Sequence, residues 1–247
     1  MKITIIHGQN HQGSTYHLAH MIADRTGGEI TEFFLPKDFE GICVGCTTCI
    51  LRDEHKCPHY DRLEPVTKAL DEADVIILAS PVYVYHCTGQ MKMLLDHYGY
   101  RWMIHRPRQA MFTKQAVCVS TAAGAGTAST NKDMADSLFF WGVPKIYKYG
   151  INIHSMSWTR VNDKVKSKME HKSARIARRL VKNYGKVRPG LKTRIYFEVM
   201  RMIQKKAGLC ETDLNYWHER GWDGSNRPWK KSVSYTHLRA HETSQDL

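Results

Sequence analysis

The run Asp74–Ala79, DVIILA, is apolar at every position after the first. A strand with one face in water would alternate apolar and polar residues. A continuous run needs cover on both faces, as in a strand of a parallel sheet flanked by helices. The rest of the N-terminal chain repeats the unit. KITIIH at 2–7, Glu29–Leu35, Gln115–Ser120 and Lys145–Ile153 read as four more strands, rich in β-branched and aromatic residues. Helical spacing lies between and after them. Leu18, Met21 and Ile22 share one face of a helix to about Arg25, closed by Gly27–Gly28. Further helices read from about Arg62 to Glu72, through Met91, Leu94, Leu95 and Tyr98, from Asn131 to Trp141, and from Arg160 to Tyr184. Five βα units in succession predict an α/β fold with a doubly wound five-stranded parallel sheet.

Such sheets bind ligands beyond the carboxyl ends of their strands. Three loops there carry chemistry. Gly8–Thr15 nearly fits the phosphate-loop pattern G-x-x-x-x-G-K-[ST], but Ser14 stands where the lysine belongs. That lysine reaches the terminal phosphates of a nucleoside triphosphate, so its absence argues against an ATPase. What remains is a turn opening a helix with hydroxyls at Ser14 and Thr15, suited to one phosphate, or else a plain helix cap. No G-x-G-x-x-G occurs there. Ser80-Pro81-Val82-Tyr83 follows DVIILA and offers a rigid turn with an aromatic, a platform for a flat heterocycle. Ser120–Thr127 consists of small residues, with Gly124 and Gly126 allowing close approach to the backbone. Together the three suit a mononucleotide with a planar ring.

These residues resemble the NAD(P)H-dependent FMN reductase family. The resemblance rests on KITIIHGQNHQGST, EADVIILASPVYVYHCTGQMKMLLD and STAAGAG, and spans about Met1 to Tyr184. It implies a flavodoxin-like fold and an FMN cofactor, with Asn10, Ser14 and Thr15 at the phosphate. Pro81, Val82 and Tyr83 would border the flavin ring, and Thr121, Ala122 and Gly124 its other side. Family members often carry S-P-R in the first loop; here Gln9-Asn10-His11 stands instead, so Asn10 or His11 must substitute for the arginine. The implied activity takes hydride from NADH or NADPH and passes electrons to a small-molecule acceptor such as a quinone, flavin or nitro compound, or to an iron-sulfur centre. The flavin carries the chemistry, and no side chain is assigned as catalytic. A non-enzymatic flavodoxin-like or iron-sulfur electron carrier is the alternative; such flavodoxins are usually acidic, unlike this chain.

Four of the seven cysteines fall in one stretch: Cys43, Cys46, Cys49 and Cys57, spaced C-x2-C-x2-C-x7-C. Four thiolates in a short loop can wrap a cubane cluster, close around zinc, or stay inert. A subgroup of the family, the iron-sulfur flavoproteins, carries a similar run that binds a [4Fe-4S] cluster, and the resemblance implies that cluster here. Cys87, Cys118 and Cys210 read as small buried apolar residues. His86, His97 and His105 read as surface histidines.

The formal net charge is +12, and it is concentrated: Arg160–Lys206 holds 16 Lys/Arg against 3 Asp/Glu. Such density can bind phosphate non-specifically. Val165, Met169, Ile176, Ala177, Leu180, Val181 and Tyr184, however, predict an apolar face beneath the charges, and favour a covering helix with a solvated basic side. Ile195, Val199, Met202 and Ile203 predict the buried face of another helix. The expected organisation is a flavodoxin-like domain over 1–187, a basic helical extension over 188–231, and a tail over 232–247. VSYTHLRAHET in that tail resembles a translated sequencing adapter. With no leader and no apolar run of membrane-spanning length, a cytoplasmic homo-oligomer without nucleic-acid specificity is expected.

Overall fold

The computed structural model describes residues 1–230, so the adapter-like tail lies outside the described residues. Five strands form one sheet: β1 (Lys2–His7), β2 (Glu29–Phe34), β3 (Val75–Ala79), β4 (Gln115–Ala122) and β5 (Lys145–Asn152). Their order is β2-β1-β3-β4-β5, and every pairing is parallel. The doubly wound flavodoxin-like fold expected from the sequence is the observed one.

The helices are α1 (Ser14–Ala23), the single turn α2 (Thr48–Leu51), α3 (Tyr60–Glu72), α4 (Gly89–His97), α5 (Thr127–Phe140), α6 (Asp163–Asn183), α7 (Leu191–Ala207) and α8 (Glu211–Glu219). All five residues of β3 are buried, and alternate ones feed different cores. Val75 and Ile77 pack with Leu18 and Ile22 of α1 and Met169, Ile176 and Leu180 of α6. Ile76 and Leu78 pack with Leu63, Val66 and Leu70 of α3 and Met91 and Leu94 of α4. A side-chain period of two, covered on both sides, is why DVIILA is apolar throughout.

Two segments depart from the periodicity. Helix α5 begins four residues before Asn131, because Thr127–Thr130 is helical without an apolar period. Strand β4 also runs on to Ala122, since Thr121 and Ala122 pair with Ile151 and Asn152. The third loop is therefore only residues 123–126.

The C-terminal helices bury a different stripe from the one expected. On α7, Thr193, Phe197, Met200 and Gln204 are buried. Ile195, Val199 and Met202 are exposed, and Ile203 is half-buried. Phe197 stacks on Trp217 at 5.0 Å and meets Trp222 edge-on at 5.7 Å, which sets the helix rotation. These rings form a third core with Met103, Met200 and Phe112. On α6, Met169, Ile176, Ala177 and Leu180 are buried as expected, but Val181, on the helix, and Tyr184, just past its end at Asn183, are exposed. Among the described residues, no helix is long and apolar enough to cross a membrane.

Candidate active site

The carboxyl ends of β1, β3, β4 and β5 frame one cavity of about 960 Å³. That lies within the usual range for small-molecule sites. Ser14, Thr15, Pro81, Val82, Tyr83, Thr121 and Ala122 all line it. Asn10 and Gly124 do not, although both neighbour lining residues; the first-loop contacts come instead from Gln9, His11, Gln12 and Gly13.

The first loop feeds directly into α1. Gly13 precedes the helix and makes no side-chain cap, so Ser14 is the first helical residue rather than its cap. The opening N–H groups of a helix have no intrahelical partner and carry the positive end of its dipole. Here they border the cavity beside the nearly buried hydroxyls of Ser14 and Thr15. Thr15 Oγ1 lies 2.6 Å from Thr121 Oγ1, tying the helix start to the end of β4. Gln9 Nε2 donates to the Tyr83 hydroxyl at 2.8 Å, tying the first loop to the second. Among the described residues no Lys or Arg lines the cavity.

The second loop is a tight hairpin. Tyr83 and His86 exchange both main-chain hydrogen bonds at 3.0 Å. The two residues between them, Val84 and Tyr85, have φ of 47° and 66°. A β-branched residue pays steric strain there. The hairpin is held on α5: Ser129 Oγ donates to the Tyr85 carbonyl, and Asp133 accepts from the Cys87 N–H at 3.1 Å. Gly126 (φ 97°) permits this contact, because a Cβ there would sit 2.6 Å from Val82 Cγ1.

A wall the sequence reading missed follows β5. Ser155, Met156, Ser157, Trp158 and Thr159 line the cavity, and Trp158 stacks on His17 at 4.5 Å. The carboxyl-end rule applied to the fifth strand would have singled out HSMSWT. His7, at the end of β1, also lines the cavity. Its Nε2 lies 2.8 Å from Glu32 Oε1, which takes a second 2.8 Å contact from His20 Nε2. Burial pushes the His7 imidazole below its ordinary range against the opposing pull of Glu32. Burial alone would raise Glu32, but its two imidazole partners outweigh that and hold the carboxyl low.

The cysteine loop lies between β2 and α3. Cys43 and Cys46 are exposed; Cys49 and Cys57 are half-buried. Left-handed backbone at Gly45 (φ 70°) and Thr47 (φ 57°) flanks Cys46. Hydrogen bonds from Thr48 hold the Cys46 thiol low. Burial pushes the Cys49 thiol up to about 11, with further contributions from Cys57, Cys43 and Cys46. Cys49 is thus the thiol on which the charges of the other three bear, and a bound cation would relieve that repulsion. Cys57 also stands beside His59 and His97, whose nearest ring nitrogens are 3.0 Å apart.

The remaining cysteines and histidines differ in part from expectation. Cys87 and Cys118 are buried. Cys210 is only half-buried, its Sγ 3.5 Å from the Ile50 carbonyl of the cysteine loop. His97 is buried, its Nδ1 on the Met93 carbonyl at 2.8 Å. His105 is largely buried against Asp213 at 2.7 Å, while His86 is exposed and faces Asp133.

Comparison with known proteins bears on the family and the fold. An iron-sulfur flavoprotein of Archaeoglobus fulgidus is 26% identical over 204 residues, covering 81% of this chain and 87% of that protein. One of Methanocaldococcus jannaschii is 45% identical over 67 residues, 27% of this chain and 34% of that protein. Among solved structures, an NAD(P)H:quinone oxidoreductase from Methanothermobacter marburgensis superposes with a TM-score of 0.58 at 14% identity, covering 73% of this chain and 96% of that one. A flavone reductase superposes with a TM-score of 0.56 at 16% identity, covering 75% and 64%. At such identities the superpositions speak for the fold. The model of the NADPH-dependent FMN reductase family matches residues 1–155. With more than half of its length matched, the chain belongs to the NADPH-dependent FMN reductase family.

Proposed function

We propose that the cavity holds FMN and that the chain is an NAD(P)H-dependent flavin oxidoreductase acting on a small-molecule acceptor. The observation that carries this reading is the convergence of the α1 N-terminus, the Pro81–Tyr83 turn and the end of β4 on one cavity, tied by the Thr15–Thr121 hydrogen bond. The residues fit the group. The phosphate meets free helical N–H groups and the Ser14 and Thr15 hydroxyls. His11 lines the cavity in the loop where the family often has an arginine, and Asn10 lies beside it. Pro81, Val82 and Tyr83 border the ring on one side, with Thr121, Ala122 and the adjacent Gly124 on the other. Bound FMN supplies hydride acceptance and electron release; the protein orients it. Trp158 and Tyr83 add two aromatic rings to the cavity lining.

The acceptor is a quinone, a flavin, a nitro compound or a centre in the cysteine loop. Cys43, Cys46, Cys49 and Cys57 are proposed as ligands of a [4Fe-4S] cluster. The placement of all four in one short loop, with the other three thiols acting on Cys49, supports this, as do the relatives bearing the name iron-sulfur flavoprotein. The active form is proposed to be a homo-oligomer. Protein purified without oxygen tests the reading: FMN released on denaturation should approach one per chain, with NADH or NADPH oxidised in the presence of a quinone. Absence of FMN would overturn the assignment of the cavity. FMN without turnover would leave an electron carrier.

A further inference from the structure

The C-terminal helices fold back onto the segment beneath the cysteine loop. Asp213, Tyr216 and Trp217 share one face of α8, and each bonds to the stretch 105–107. Asp213 is wholly buried: its Oδ1 accepts from Arg106 Nη1 at 2.6 Å, and its Oδ2 lies 2.7 Å from His105 Nδ1. The Tyr216 hydroxyl donates to the Pro107 carbonyl at 2.7 Å, and Trp217 Nε1 to the His105 carbonyl at 2.6 Å.

From that fixed base Arg106, itself buried, reaches up into the loop. Nη1 donates to the Ile50 carbonyl at 3.0 Å, Nη2 donates to the Cys49 carbonyl, and Nη2 lies 3.3 Å from Glu54 Oε2. The extension also touches the loop directly. Thr212 Oγ1 donates to the Leu51 carbonyl at 3.0 Å, and Cys210 Sγ meets the Ile50 carbonyl at 3.5 Å. Three successive carbonyls, of Cys49, Ile50 and Leu51, are thus fixed by side chains from outside the loop. The single turn of α2 has too few internal hydrogen bonds to hold itself. A buried guanidinium persists only where its charge is matched, and Asp213 and Glu54 match it.

We infer that helix α8 and the Arg106–Asp213 pair form a holder for the cysteine loop, so that the C-terminal extension positions the loop's thiols. Arg106 and Asp213 are positioning residues; they act through main-chain carbonyls. The extension thereby gains a task that its basic charge and helical periodicity do not suggest. Only the metal arm of the test below rests on the proposed cluster; the thiol arm does not.

The test uses the full chain carrying Asp213→Asn, with Asp213→Glu as the conservative variant and Trp222→Leu as comparator. Trp222 belongs to the third core, shared with Met103 and Phe112, and makes no hydrogen bond to the cysteine loop among the described residues. In metal-free protein, alkylation of native Cys49 is followed by mass spectrometry, with buried Cys118 as internal control. Asp213→Asn should speed Cys49 modification on the order of tenfold, through more frequent local opening. Cys118 should stay protected, Asp213→Glu should restore part of the protection, and Trp222→Leu should leave the Cys49 rate near wild type. In protein purified without oxygen, iron per FMN should fall to roughly half or less in Asp213→Asn, as when outer-shell support of a metal ligand is lost. An unchanged Cys49 rate in Asp213→Asn overturns the inference, as does an equal rise in Trp222→Leu. Wild-type protein without iron would sink the cluster and leave the holder standing on the thiol arm.

Discussion

Thr15 Oγ1 and Thr121 Oγ1 lie 2.6 Å apart in a buried contact that joins residues 106 positions distant in sequence. One belongs to the first turn of α1 and the other to the end of β4, so this hydrogen bond ties together two of the elements that line the cavity. Thr121→Val keeps the shape and removes the partner, leaving the Thr15 hydroxyl unpaired. The expected cost is about 1–2 kcal/mol of stability and a rise in the FMN dissociation constant of roughly tenfold, or about 1.4 kcal/mol. Chemical denaturation and flavin fluorescence titration measure the two. An unchanged FMN affinity would mean that the pair is not part of the cradle.

Charge at the start of α1 should be decisive. Ser14 and Thr15 are nearly buried beside the opening N–H groups, and no Lys or Arg among the described residues lines the cavity to offset added negative charge. Replacing both by Asp should abolish FMN retention through gel filtration, while far-UV circular dichroism stays that of the wild type. Full occupancy in the double variant would place the phosphate elsewhere.

The hairpin over the cavity holds strain that can be relieved. Val84 is 92% exposed with φ of 47°, so its side chain gains little from burial and still meets the left-handed penalty. Val84→Asn should raise stability by about 1 kcal/mol, because Asn tolerates that region. Urea denaturation checks it; a loss of stability would mean that Val84 makes a contact in solution that holds it there.

Lys114 gives a pH signature. Its Nζ donates to the Asp71 carbonyl at 2.8 Å and to that of Ala73, and burial pushes its pKa down from 10.5 to about 8. Between these values the folded chain binds fewer protons at this group than the unfolded chain does. Its contribution is therefore complete above pH 10.5 and is lost as the pH falls through 8. Wild-type stability should gain about 1–2 kcal/mol from pH 8 to 10 relative to Lys114→Met. Parallel pH profiles for the two proteins would refute it.

The cysteine loop and the cavity should fail separately. A Cys→Ser change at Cys43, Cys46, Cys49 or Cys57 should remove iron and sulfide and leave FMN bound, since the thiols do not line the cavity. Turnover with a one-electron acceptor should fall more than NAD(P)H oxidation. His97→Gln should leave the iron content unchanged if four thiols hold a cubane. Metal lost with His97, and identified as zinc, would instead assign Cys57, His59 and His97 to one three-ligand site, whose candidate ligand atoms lie within 4.8 Å of one another.

The sheet and most of the cavity were legible in the sequence because the signals are local. A buried parallel strand must be apolar on both faces, as β3 is, and the carboxyl ends of such strands point to the ligand loops without further geometry. The cysteine spacing likewise marks thiol chemistry by itself. What tertiary structure decided lies where two local patterns compete or where the partner is distant. On α7, Ile195/Val199/Met202 and Phe197/Met200 are both stripes at helical spacing, and only stacking of Phe197 on Trp217 selects the second. His105 reads as a surface residue until Asp213, more than a hundred positions later, closes on it and on Arg106. The fifth-strand wall with Trp158 enters the cavity because β5 pairs beside β4. Periodicity reports which face of an element is apolar; it carries no information about which distant side chain will meet that face, and such meetings bring Thr15 to Thr121 and Arg106 to Asp213 and the cysteine loop.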